Sequence, residues 1–220
     1  MSIIQASEIS RSFKGMEVLS NLDLTVENGE FLAITGRSGV GKSTLLAILG
    51  THDRDFSGNL SIAGNDTHEL KSSELAALRR EHLGFVFQDF YLLPSLTAME
   101  NVILPVVFSG SNLEMARSQA ENVLQMLSVR TDQTKTSLLS RGERQRVAVA
   151  RGLVNRPSIL LADEPSASLD EESEQILFNL LDNSRKEQGF AVVAVVHSKS
   201  VLERADRVLE LKDGILHETI

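Results

Sequence analysis

The nine residues Gly36-Arg37-Ser38-Gly39-Val40-Gly41-Lys42-Ser43-Thr44 lie between an apolar run at 31–35 and an apolar segment that opens at Lys42. Strand, glycine-rich loop and helix in that order are the context in which such a loop cradles phosphate. Glycines let the backbone wrap tightly, so that successive amides from Ser38 to Thr44 point at phosphate oxygens, and the helix N-terminus adds partial positive charge. Lys42 is then placed to reach β- and γ-phosphates, and the Ser43 hydroxyl to ligate magnesium. A glycine-rich turn that merely precedes a helix would share these letters, but the order of elements favours the phosphate loop.

A second apolar run, Ile159-Leu160-Leu161-Ala162, ends in Asp163-Glu164. Ligands of α/β sheets sit at the carboxyl ends of strands. Asp163 is suited to hold magnesium, directly or through water, and Glu164, pointing differently, to polarise an attacking water as general base. Taken alone, Asp-Glu-Pro reads more readily as a loop before a helix, since acids and proline favour that position. Its coexistence with the phosphate loop reverses the preference.

Around these motifs the pattern alternates. Strands are expected at 3–13, 22–26, 31–35, 58–63, 83–87, 158–162, 190–196 and 207–211, with a turn at Gly64-Asn65-Asp66 and helices from Lys42, over 72–82 and over 171–187. Residues 89–156 read as mainly helical, with Leu113, Ala116, Ala120, Val123, Leu124 and Leu127 spaced to cover one face. The alternation implies a largely parallel sheet flanked by helices. Lys212-Asp213-Gly214 suggests a closing hairpin. At 220 residues and 42% hydrophobic content, one domain is expected over 1–220, with 1–88 and 157–220 as core and 89–156 as a helical insertion.

Composition narrows the function classes. Cysteine is absent, so thiolate metal sites and disulfides are excluded and a reducing compartment is favoured. The N-terminus lacks the charged and apolar regions of an export signal, and the longest apolar runs fall far short of the roughly 20 residues of a spanning helix. A net charge of −8, with 5% aromatic residues and no tryptophan, argues against nucleic-acid binding.

Further motifs follow in an order that resembles the ABC ATPase family along essentially the whole chain. Gln88, after the strand ending at Phe87, looks like the glutamine-loop residue that contacts magnesium and the water site. Leu139-Ser140-Arg141-Gly142-Glu143, followed by a helix over 144–154, is similar to the family signature. Ser168-Leu169-Asp170 looks like the D-loop, His197 like the switch histidine, and Phe13 stands where the family sets an aromatic ring against adenine. Singly, Gln88 can also be read as a strand-end polar residue, while His197 reads more readily as a half-buried loop histidine and Phe13 as core.

The resemblance implies an α/β fold: a P-loop NTPase (RecA-like) core with an N-terminal antiparallel β subdomain and an inserted α-helical subdomain. It implies ATP and Mg2+ as ligands, held by Phe13, Gly36, Ser38, Gly39, Val40, Gly41, Lys42, Ser43, Thr44 and Gln88, with Ser43, Gln88 and Asp163 toward the metal and Lys42, Glu164 and His197 catalytic. Ser140, Gly142 and Glu143 would act on ATP bound to a second copy, so that two chains complete each site. In the signature, Arg141 stands where the family has glycine, adding bulk and positive charge.

The stretch from Phe85-Val86-Phe87-Gln88-Asp89-Phe90-Tyr91 through Leu92-Leu93-Pro94-Ser95-Leu96-Thr97 to Ala98-Met99-Glu100-Asn101-Val102 resembles the subgroup of lipoprotein release, macrolide or peptide efflux and haem efflux. It implies an apolar surface that receives an integral membrane permease, and a location on the cytoplasmic face of the membrane. A cell-division branch of that subgroup, which transmits motion to extracytoplasmic enzymes without transport, shares these features. ABC proteins of DNA repair or translation and simple P-loop kinases fit less well. No residue here encodes a transported substrate.

Overall fold

A computed structural model of the chain describes residues 2–110, 112–167 and 169–219. Ser168 of the expected D-loop lies outside the described residues. The chain opens with two long strands, β1 (Ser2–Phe13) and β2 (Met16–Glu27), joined at Lys14-Gly15, both in the left-handed region. That two-residue reversal suits the twist of antiparallel strands, and β2 starts six residues before the sequence pattern suggests. β3 (Phe31–Thr35) leaves this sheet, and β4 (Ser57–Ile62) and β5 (Asn65–Asp66) return to give the antiparallel order β2-β1-β4-β5. The turn expected at 64–66 lies at Ala63-Gly64, whose φ values of 48° and 78° already reverse the chain; Asn65 and Asp66 are left to pair with Ile62 and Ser61.

β6 (Leu83–Val86), β7 (Ile159–Asp163), β8 (Ala191–Val195), β9 (Arg207–Lys212) and β10 (Ile215–Glu218) join β3 in a six-stranded sheet ordered β10-β9-β3-β8-β7-β6. Only β10, paired with β9, runs antiparallel. The inner strands are apolar at nearly every position because both faces are covered. Phe31, Ala33, Leu160, Ala162, Val192 and Ala194 face one core, shared with the helical region. Leu32, Ile34, Ile159, Leu161, Val193 and Val195 face the other, shared with the antiparallel sheet and α1 (Lys42–Leu49). Period-two alternation thus divides one sheet between two cores.

Helices α2 (Ser72–His82), α3 (Ala98–Phe108), α4 (Leu113–Met126) and α5 (Arg141–Leu153) precede β7 in the chain, with a 3-10 turn at Thr136–Leu138. α6 (Glu171–Gln188) and the short α7 (Lys199–Leu202) connect the last parallel strands. On α4 the buried stripe starts at Ala116. Leu113, expected to belong to it, is 52% exposed in the first helical position, before the helix reaches its neighbours. The helix after the signature also starts earlier than the sequence pattern suggests, at Arg141, because Ser140 caps it. The 89–97 stretch is a loop that the fully buried Asn101 holds: its side chain accepts from Leu93 N and donates to the carbonyls of Leu93 and Thr97. Asn101 and Val102 are therefore packing residues and lie off the exposed surface.

Candidate functional site

The carboxyl ends of β3 and β7 and the start of α1 enclose a cleft of about 380 Å3 lined by Phe13, Val18, Ser38, Gly39, Gly41, Lys42, Ser43, Thr44, Gln88 and Glu164. Residues separated by more than half the chain, from Phe13 to Glu164, meet in one place, and all but Val18 are expected from their motifs. Gly36 and Val40 do not line it. Gly36 has φ 142° and a Cβ there would lie 2.4 Å from the Leu211 carbonyl oxygen, so glycine is needed for the chain to pass β9. Val40 packs into the core beneath.

Gly41 precedes α1 with φ 114°, and a Cβ on it would meet Val18 Cγ1 at 2.7 Å. No side chain caps this helix, and the first ladder bond is Leu45 N to Gly41 O. The amides of Lys42, Ser43 and Thr44 therefore precede the ladder and face the cleft side of a helix N-terminus. Lys42 is 5% exposed, and its Nζ donates to the carbonyls of Gly36 and Arg37 at 2.9 Å each, which holds a cation across the mouth of the loop.

Asp163 ends β7 half-buried. Burial pushes its carboxyl above the usual range, and Glu164 adds to this, while the Ser43 hydroxyl and Lys42 oppose it. A hydroxyl and a carboxylate facing each other form the kind of oxygen donor set that Mg2+ takes, so the residues fit that ion. Bound there, Mg2+ would offset the charge of the phosphate oxygens; Ser43 and Asp163 would hold it.

Glu164 follows with φ 46°, a strained position for a non-glycine residue that its amide bond to Val195 O helps to maintain. Its side chain reaches His197, whose Nε2 lies 3.1 Å from Glu164 Oε1. His197 stands just past β8, next to β7 in the sheet, which explains why two residues 33 positions apart meet.

Phe13 is 45% exposed at the cleft, so it is not a core residue. The Arg11 guanidinium lies 4.0 Å from its ring centroid and is itself held by Asp53 and Asp55, which stiffens the ring. Gln88 is exposed at the cleft's edge. Beyond it Phe90 and Tyr91 adopt φ 53° and 46°, and Arg151 of α5 donates to both of their carbonyls. Burial lowers the Arg151 pKa.

The signature residues lie apart from the cleft. Ser140 Oγ accepts from Glu143 N, while Glu143 Oε2 accepts from Ser140 N at 2.9 Å. Glu143 also pairs with Arg130 at 2.8 Å. Burial pushes the Glu143 carboxyl up, but the Ser140 amide and hydroxyl and Arg130 outweigh it and bring the pKa below the usual value. Glu143, expected among the trans-acting residues, caps its own helix in this structure. Gly142 faces Ser173 of α6, and Asp170 caps α6 by accepting from Ser173 N at 2.8 Å. Arg11, Val18 and Arg151 escaped the sequence reading. Only the alternation of β2 could have pointed to Val18; the two arginines act through partners more than forty positions away.

The family described as "ABC transporter" matches residues 19–167. The chain belongs to it, as an ATP-binding, ATP-hydrolysing cassette. The lipoprotein-releasing system ATP-binding protein LolD of Porphyromonas gingivalis is 43% identical over 215 residues, covering 97% of this chain and 98% of that protein. The macrolide export ATP-binding/permease protein MacB of Rhodopseudomonas palustris is also 43% identical, over 98% of this chain, but the chain spans only 34% of it. Among solved structures, the dimeric MJ0796 cassette, described as a bacterial ABC transporter cassette, superposes with a TM-score of 0.89 at 38% identity, covering 98% of this chain and 97% of that one. A dimeric post-hydrolysis state of MJ0796 with ADP and Pi gives 0.90 at 37%. Among the described residues no helix is long and apolar enough to cross a membrane.

Proposed function

We propose that this chain, as a single ATPase domain with 89–156 as its helical part, powers a separate membrane permease in an export or release system, from the cytoplasmic face of the membrane. The observation that carries the coupling is a groove of about 580 Å3 whose walls include Phe85, Phe87 and Tyr91 with Arg79, Arg80 and Arg151. Gln88, the next residue after Phe87, lies in the nucleotide cleft. A helix seated in that groove would press on the strand end that leads into the site. LolD and MacB, whose names state release and export, support the direction of transport.

In this mechanism the amides before α1 and Lys42 hold the phosphates, and Glu164 accepts a proton from the attacking water while His197 orients it. Ser140 and the Gly142 amide of a second copy complete the site. The Ser140 hydroxyl caps α5 through its oxygen, and its proton would turn from Glu143 to the nucleotide of the second copy. Two bound ATP molecules close the pair of copies, and hydrolysis lets it reopen.

The test is to co-purify the chain with its membrane partner and measure release or efflux of that system's substrate from cells carrying the wild type or Glu164→Gln. Loss of efflux with Glu164→Gln is expected. Efflux that persists, or a partner that activates an extracytoplasmic enzyme with no substrate moved, would contradict the transport role.

A further inference from the structure

Glu174, in the first turn of α6, is 9% exposed and has no place in the nucleotide cleft. A carboxylate at that depth needs hydrogen-bond donors, and its donors come from two loops. Ser166, two residues past Glu164, donates to Oε1 at 2.5 Å. Ser198, the residue after His197, donates to Oε2 at 2.6 Å. Ser200 lies 3.3 Å from the same oxygen and 2.8 Å from Ser198 Oγ, so its single proton serves one or the other. Each carboxylate oxygen therefore holds one of the two loops that carry the Glu164–His197 pair.

We infer that Glu174 is a positioning residue for hydrolysis: it clasps the loop after β7 to the loop after β8 and so sets the separation of Glu164 and His197. The inference rests on the roles proposed for those two residues. Their contact is a single 3.1 Å hydrogen bond between side chains that are 25% and 48% exposed, and Glu164 sits in a strained backbone position. Neither feature fixes the pair without support from behind. Asp170 caps α6 four residues earlier, and Gly142 of the signature helix packs against Ser173, so the clasp stands on a helix start that also touches the signature. A carboxylate is suited to this task because its two oxygens accept from both loops at once.

Steady-state ATPase kinetics, ATP affinity and melting temperature would be measured for wild type, Glu174→Ala, Glu174→Gln and Glu164→Gln. Glu174→Ala should lower kcat by about 10- to 100-fold, the scale of a small misplacement of catalytic groups, with KM and ATP affinity unchanged. Glu174→Gln, equal in shape but with one acceptor oxygen instead of two, should fall between. Should Glu174→Ala fail to fold, Ser198→Ala with Ser200→Ala removes the donors on one loop and should lower kcat in the same way. A normal kcat in the Ala and Gln variants with reduced melting temperature would reduce Glu174 to a packing role and overturn the inference. Undiminished turnover in Glu164→Gln would overturn the catalytic reading itself, and the positioning role with it; abolished turnover there beside a normal Glu174→Ala would overturn only the positioning role.

Discussion

Two helix starts carry the groups proposed to face phosphate, and they are built in opposite ways. α1 begins at a left-handed Gly41, with no capping side chain and no acidic residue in its first turn. α5 begins at Ser140 with a reciprocal capping box to Glu143, and that acid is neutralised further by Arg130. The first helix leaves its leading amides without protein partners among the described residues, next to a buried lysine, so an anion from solution would complete it. The second satisfies much of its own terminus, and its Ser140 and Gly142 do not line the chain's own cleft. On the proposed reading, one helix start is a binding site in itself, whereas the other acts when a second copy presents a nucleotide. Asymmetry of this kind would let one chain bind ATP alone and hydrolyse it only in a pair.

Substitutions at the two starts should separate these roles. The largest effect is expected for Lys42→Ala, which removes the cation at the loop and should lower ATP turnover by about 100- to 1000-fold, measured as phosphate release. Gly41→Ala should weaken ATP binding to the isolated chain by up to about 100-fold, because the strained φ and the clash with Val18 distort the loop; titration calorimetry would show it. Ser140→Ala should leave ATP binding to the isolated chain intact while turnover falls about tenfold, the worth of one hydrogen bond to a charged group. The same variant should lose about 0.5–2 kcal/mol of stability through the lost cap, read by urea unfolding. Weakened binding to the single chain in Ser140→Ala would erase the distinction between the two starts. The smallest effect is expected for Arg141→Gly, whose exposed side chain lies between the two groups proposed to act in trans, Ser140 and Gly142, without replacing either: turnover should stay within about the same order, with about 1 kcal/mol lost from a helix glycine. A rise in hydrolysis by orders of magnitude would instead mark Arg141 as an obstruction to closure.

The two starts also differ in how far the sequence reveals them. The phosphate loop was legible because its backbone needs left-handed or crowded positions that only glycine fills, and because an apolar strand and an apolar helix flank it. Asp163 and Glu164 were legible from the strand that ends in them. Around α5 the motif gave Ser140 and Gly142, but the helix boundary was misplaced by three residues because Arg141, Gly142 and Glu143 look polar and loop-like until the capping box is seen. Glu174 left no trace in the pattern, since its partners stand 8, 24 and 26 positions away and meet it only after the parallel sheet sets β7 beside β8. Local backbone demands are written in consecutive letters; a clasp between loops is written in the topology.

The claim that two copies build each site is tested most directly by the oligomeric state of Glu164→Gln in solution, followed by analytical ultracentrifugation with Mg2+ and either ATP or ADP. A dimer with ATP and a monomer with ADP is the predicted result. A chain that binds ATP at saturation, fails to hydrolyse it and still sediments as a monomer would contradict assembly of the site from two copies.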